Sequence, residues 1–390
     1  MSASSPAHAT PVHRHPWWAV SAVGLATFSV VTTEMLPVGL LTSVAEDLGA
    51  STGTAGLMIS LPALLAALFA PLVVIAAGGI DRRRILCVLL GLLLVANVAS
   101  ALAPGIGWLL AARVLVGFCM GGIWAIAGGL AARLVPADRI GLATSIIFGG
   151  VAAASVLGVP LGALIGDALG WRSAFAAMAL FSAAVMLLHL RVVPALPVST
   201  SVQPREFVQQ LGQRDLRRGL WLTVLLVSGH FIAFTYVRPL LTSVSGVEAS
   251  WIGVLLFAYG LAGIAGNFIA GPLAARHPRG TLLAIASGLL LTPLLLLWLG
   301  GTPSGGIAVL LLWGLAYGGV SVGLMSWMMK ALPQAVEIAT ALYVGVFNTG
   351  IALGAWGGGW LLDGIGLQAN LWAAAVLAAS ALLMVATTRR

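Results

Sequence analysis

The chain has 390 residues, 60% of them hydrophobic and 8% charged, with a mean hydropathy of +1.06 and a formal net charge of +8. No soluble domain of this length has that balance, so a soluble enzyme and a soluble binding module are excluded.

A polar tail, Met1–Pro16, comes first and is expected in the cytoplasm. Twelve apolar runs follow: Trp17–Leu41, Leu57–Ala77, Ile85–Leu102, Trp108–Leu130, Leu142–Ile165, Ser173–Leu190, Leu220–Val244, Ile252–Ala275, Leu282–Leu299, Ile307–Met329, Ile338–Leu362 and Leu371–Ala386. About 20 helical residues span the hydrocarbon core at ~1.5 Å per residue. Lipid offers no partner to backbone polar groups, so each run is predicted to be a helix. A strand reading needs ~10-residue alternating segments, and none occurs. The boundary at Pro16–Trp17 lacks a basic segment and a small-residue cleavage site, so the first run reads as a retained helix. Cys87 and Cys119 lie inside runs, carry no disulfide signal and read as small packing residues. The polar linker Pro194–Arg218 divides the runs six and six. The expected fold is therefore all-α and integral to the membrane, with twelve transmembrane helices in two pseudo-symmetric six-helix bundles. Its parts are tail 1–16, first bundle 17–192, cytoplasmic linker 193–219 and second bundle 220–388.

The basic residues occupy every second gap: Arg82, Arg83, Arg84, Arg133, Arg139, Arg191, Arg205, Arg214, Arg217, Arg218, Arg276, Arg279 and Lys330. The opposite gaps hold Arg172 with Glu46, Asp47, Asp167, Glu248 and Asp363. Basic short loops stay cytoplasmic, so both termini are expected inside. The positive surplus is thus a topology signal, and no nucleic-acid partner is expected.

The halves repeat one another. The first run ends Thr33-Glu34-Met35-Leu36-Pro37 and Leu40-Leu41-Thr42-Ser43-Val44; the seventh ends Thr235-Tyr236-Val237-Arg238-Pro239 and Leu240-Leu241-Thr242-Ser243-Val244. The loop from Ala77 to Arg84 has a counterpart from Gly271 to Arg279. Gly158-Val159-Pro160-Leu161-Gly162 in the fifth run stands where the eleventh has Gly354 through Gly359. Parallel six-helix repeats are a transporter architecture.

On these residues the chain resembles a major facilitator superfamily permease over its whole length. The loop Gly79-Ile80-Asp81-Arg82-Arg83-Arg84 is a worn form of that family's signature; its second copy keeps Arg276 and Arg279 but has Ala275 in place of the acid. Arg113, Gly117 and Gly121-Gly122 are similar to the family's buried-arginine motif, and Gly158, Pro160 and Gly162 to the glycine–proline motif of antiporters. Glu34 to Leu41 and Gly170 to Phe175 resemble the drug:proton antiporter group with twelve spans. Gly121 to Trp124, Arg133 to Pro136, Ser145 to Gly149 and Phe234 to Pro239 resemble its purine ribonucleoside efflux permeases, and sugar and drug exporters share much of this. The resemblance implies proton-coupled efflux by alternating access from the bacterial inner membrane, by a monomer that handles a small molecule and protons within the lipid bilayer. Purine ribonucleosides are the first choice of substrate; a sugar or an amphipathic drug is the alternative.

Glu34, Arg113 and Arg238 are strong charges well inside apolar runs, and intramembrane charge is costly enough to be functional by default. Helix rise puts all three in the outer half, and the family fold brings helices 1, 4 and 7 together. One carboxylate is thus expected near two guanidiniums, as a proton-coupling site. The plainer readings are a static ion pair, or Arg238 snorkelling to the interface. Burial opposes ionisation of Glu34 and the arginines favour it. Asp81 is expected to cap the third helix. In the family this loop, with Arg82, Arg84, Arg276 and Arg279, latches the halves when the transporter faces outward. Trp124, His230, Phe234, Tyr236, Asn267, Tyr317, Trp327, Phe347 and Asn348 are candidates for the substrate cavity, since aromatic faces and amides suit a flat polar ligand. Each taken alone also fits packing.

An intramembrane enzyme is not supported. Ser228 and His230 are two apart and do not face each other on a helix. Neither a His-Glu-x-x-His zinc motif nor a phosphate-cradling loop occurs, so no metal or cofactor is expected.

Overall fold

A computed structural model describes residues 16–76, 80–136, 139–197, 205, 209–333 and 336–388. Most of the N-terminal tail, loop residues 77–79 and much of the linker lie outside the described residues. Among those described there is no strand. The first half contains α1 (Pro16–Asp47), α2 (Thr52–Ala76), α3 (Arg82–Ala101), α4 (Ile106–Leu134), α5 (Ile140–Ala153), α6 (Val159–Leu169) and α7 (Trp171–Val192). The second contains α8 (Arg214–Phe234), α9 (Ile252–Arg276), α10 (Pro278–Leu299), α11 (Pro303–Gly318), α12 (Val320–Ala331), α13 (Val336–Gly364) and α14 (Leu367–Ala386). Ten helical stretches are long and apolar enough to cross a bilayer, and an eleventh is gained when α8 is joined to residues 237–244. The remaining run, Ile338–Leu362, lies on α13.

Three apolar runs are broken, each with a local cause. Pro160 has no N–H to give a carbonyl one turn back, and the π turn Ala154–Gly158 precedes it, joining α5 to α6. Pro239 sits in the short turn Val237–Pro239, which leads into a π turn, Leu240–Val244, bent 54° from α8. Gly318 and Gly319 separate α11 from α12, and the Gly318 backbone passes against the Gly263 carbonyl with no room for a side chain.

The halves pack alike. In the first, α1 packs on α5, α6 and α7, α2 on α4, and α3 on α7; in the second, α8 packs on α13 and α14, α9 on α11, and α10 on α14. Glycines set the closest approaches. A Cβ at Gly158 would meet Thr32, one at Gly162 would meet Leu36, and one at Gly166 would meet Leu40, all on α1. Gly350, Gly354 and Gly358 of α13 lie in the same way on Val227, Ser228 and Ile232 of α8. These small-residue stripes allow the backbones to approach where apolar burial gives no drive inside lipid. The halves meet where α2 runs along α13 and where α6 and its π turn lie on α9.

One end of the bundle carries Asp47, Asp167, Glu248 and Asp363 and is called here the acidic end. The other, with Arg82–Arg84, Arg133 and Arg279, is the basic end.

Candidate functional site

The site is built around a defect in α1. Pro37 lies inside that helix and cannot donate to the Thr33 carbonyl four residues back. Arg113 of α4 supplies the missing donors: Nη1 and Nη2 both donate to the Thr33 oxygen at 2.8 Å. The guanidinium also stands over the Phe175 ring, 5.1 Å from its centroid. The Thr33 hydroxyl accepts from Asn97 Nδ2 at 3.1 Å, and Asn97 reaches Ser182, whose hydroxyl is 3.0 Å from that of Ser29. Helices α1, α3, α4 and α7 thus hold one turn of α1 in place through buried hydrogen bonds.

Glu34 is the next residue on that turn. It is 1% exposed, and its Oε1 has no hydrogen-bond partner. A buried carboxylate oxygen left unpaired is costly unless a proton, water or ligand serves it. Glu34 lies within electrostatic range of Arg113 and, across the seam, of the Tyr317 hydroxyl.

On the second half four rings form a column. His230 stacks on Tyr317 with centroids 3.4 Å apart and on Phe234 at 4.7 Å, and Phe234 stacks on Tyr259 at 4.7 Å. Trp313 and Phe231 meet His230 edge-on. Both His230 nitrogens and the Tyr259 hydroxyl are buried without a partner. The rings stack on one another, so His230 and Phe234 are covered on both faces, and the column sets buried polar atoms among aromatic surfaces. On α13, Phe347 lies 5.6 Å from Tyr343, and Asn348 donates to the Val344 carbonyl while its Oδ1 has no partner.

Several expectations are corrected. Arg238 does not join Glu34: its Nη2 donates to Asp167 Oδ1 at 2.7 Å and its Nη1 to the Gly39 carbonyl at 2.6 Å, one and a half turns farther along α1. The carboxylate therefore has one guanidinium near it, and that one is spent on a carbonyl. Tyr236 is fully buried: its hydroxyl donates to the Ala355 carbonyl at 2.7 Å, and the ring wedges between α2 and α13. Trp327 donates to the Asp215 carbonyl at 3.1 Å and ties α12 to the start of α8. Trp124 packs on the first-half core, and Asn267 is exposed. Tyr259, Trp313, Asn97 and Ser182 belong to the site or its support without having been singled out. They lie on α9, α11, α3 and α7, and only packing brings them in.

At the basic end Asp81 caps α3, accepting from Arg83 N at 2.8 Å, and it also accepts from Leu196 N at 3.1 Å. Arg83 donates to the Leu190 carbonyl near the end of α7. Arg279, its counterpart in the second loop, donates to the Val385 and Ala386 carbonyls at the end of α14. A cation on the last carbonyls of a helix is favoured by hydrogen bonding and by the helix dipole. Arg82 and Arg84 flank Arg83 at the start of α3, and Arg276 is exposed. Arg83 and Arg279 thus each staple one half to itself.

Two helical halves around a buried carboxylate, with broken spans at the seam, define a multi-pass membrane transporter of small molecules. Residues 23–337 match the Major Facilitator Superfamily, and the chain belongs to that family. It is 33% identical over 388 residues to the "Transcription regulatory protein OpdE" of Pseudomonas aeruginosa, covering 98% of this chain and 96% of that one. It is 32% identical over 376 residues to the "Uncharacterized MFS-type transporter YtbD" of Bacillus subtilis, covering 95% of each. The fold is similar to that of the human organic anion transporter MFSD10 (TETRAN), with a TM-score of 0.71 at 18% identity over 95% of this chain and 99% of that one. It is similar also to a bacterial homologue of the human lysosomal transporter Spinster, inward-facing and unoccupied, with a TM-score of 0.72 at 16% identity over 96% and 94%. At these identities the structural likeness speaks for the fold.

Proposed function

We propose that this transporter is a proton-coupled antiporter. In this reading it exports small, flat, polar molecules, purine ribonucleosides first, across the bacterial cytoplasmic membrane, as a monomer with both termini inside. The observation that carries the reading is Glu34: a buried carboxylate with an unpaired oxygen, on the turn of α1 that Arg113 holds. Protonated, Glu34 is neutral and suited to its apolar surroundings. Ionised, it draws on Arg113 and on any donor that the ring column presents. Proton binding and ligand binding then compete for one group, which is what antiport requires. The aromatic column of Tyr317, His230, Phe234 and Tyr259 suits a planar heterocycle, which stacks through a whole π face where a sugar offers only C–H groups, and a flat amphipathic drug would also fit. The antiporter-like glycine–proline segment at Gly158–Gly162 favours export.

The test is proton release by the purified protein on addition of inosine, with arabinose and a cationic dye as competitors. Glu34→Gln is expected to abolish substrate-driven proton release and uphill efflux while downhill exchange survives. Release at the unmodified level would move the coupling site elsewhere. Sidedness has its own test: a reporter active only in the periplasm should work when fused after Asp47 or Gly301 and be silent after Arg84 or Arg205.

A further inference from the structure

We infer that the acidic end carries a two-part latch between the halves, which holds that end shut. The first part is a helix cap supplied across the seam. Ser51 caps α2 in the usual way, accepting from Thr54 N at 3.0 Å. Asp363, at the end of α13 in the other half, accepts from Gly53 N at 3.0 Å and from the Ser51 hydroxyl at 2.5 Å. The negative charge of one half thus sits on the N-terminus of a helix of the other, where free N–H groups and the helix dipole both favour it. The second part is Arg238, which reaches from the second half to Asp167 and to the Gly39 carbonyl of the first.

Glycine makes both parts possible. A Cβ at Gly53 would strike the Asp363 carboxylate, and one at Gly56 would strike the Tyr236 hydroxyl. With neither side chain present, α2 and α13 close until the carboxylate reaches the helix end. The cap and the ion pair lie on different helices of both halves, so each constrains the seam separately. Opening the acidic end breaks both together: α2 loses the charge at its N-terminus, and Arg238, 5% exposed, loses its counter-charge. The latch weights the equilibrium between closed and open acidic ends whatever the substrate is, and it stands apart from the coupling role of Glu34.

Distances between spin labels test this. Labels go at Glu46→Cys and Ser250→Cys, exposed positions at the acidic end in opposite halves, in the full chain with Cys87 and Cys119 replaced by alanine. Asp363→Ala should raise the ratio of long to short distances about five-fold, the ratio matching a cap of ~1 kcal/mol. Asp167→Asn should shift it in the same direction and decides alone if Asp363→Ala does not purify as a monodisperse protein. Arg279→Ala at the basic end should not raise the ratio of long to short distances. An unchanged distribution in either acidic-end variant, or an equal shift in Arg279→Ala, overturns the latch.

Discussion

At the acidic end hydrogen bonds run between the halves, from Ser51 and Gly53 to Asp363 and from Arg238 to Asp167 and Gly39. At the basic end, among the described residues, Arg83 ties α3 to α7, Arg279 ties α10 to α14, and Asp81 bonds to its own helix and to Leu196. The same kinds of interaction, carboxylates on helix N-termini and guanidiniums on helix carbonyls, therefore do two jobs. At one end they join the bundles; at the other they hold each bundle together. A molecule built this way can pivot at the basic end without losing those bonds, while movement at the acidic end must break several. The family reading of Asp81 as a latch applies to the outward-facing state. With the acidic end shut, Asp81 is engaged locally.

The largest expected effect is at Gly56. Gly56→Ala drives a methyl into the Tyr236 hydroxyl, and overpacking of this kind costs about 1–3 kcal/mol. The melting temperature in detergent should fall and the acidic-end labels should separate. Tyr236→Phe removes the oxygen that clashes, so the double variant should recover part of the loss; strict additivity would mean the two residues do not meet.

Arg238→Ala comes next. The arginine side chain is 6% exposed and its partner Asp167 is 25% exposed, so solvent screens part of the pair. A loss of about 1–2 kcal/mol is expected. It should appear as a lower melting temperature together with a longer label distance. A lower melting temperature at unchanged distance would make Arg238 a structural anchor only.

At the basic end the comparison predicts stability loss without opening of the acidic end. Asp81→Ala removes the α3 cap and should cost about 1 kcal/mol. Arg279→Ala removes a cation from the end of α14 and should cost only about 0.3–1 kcal/mol. In both, scanning calorimetry should register the loss while the spin-label distances do not lengthen. Separation of the acidic-end labels in either would erase the distinction between the two ends.

Much of this was legible before any coordinates. Hydropathy located the helices, although their ends run past the apolar runs: α2 starts at Thr52 rather than Leu57 because Ser51 and Asp363 cap a polar first turn that hydropathy does not register. The Asp81 cap was readable because a cap and its donor are two residues apart. The repeated arginines were readable as a pair, and the structure gives them one task in each half. Glu34 stood out because a carboxylate in an apolar run is rare, yet the grouping of Glu34, Arg113 and Arg238 at one level was only partly right. Depth along a helix measures height and says nothing of azimuth, and Arg238 leaves a bent segment that aims it at Asp167.

By itself the sequence determined the helical class, the division into repeated halves and the charge asymmetry of the two ends, whereas the breaks at Pro160, Pro239 and Gly318 lie inside runs it read as continuous helices. The features it determined depend on residues within a turn or two of one another and on whether a segment prefers lipid to water. Only the tertiary structure decided that Arg113 serves the carbonyl freed by Pro37, that His230 stacks between Tyr317 and Phe234, and that Asp363 caps a helix 310 positions away in the chain. Such pairings are set by how preformed helices dock, within one bundle for the first two and between the bundles for the third. The docking is governed by the shape of whole glycine-lined faces, and no local pattern of residues encodes it.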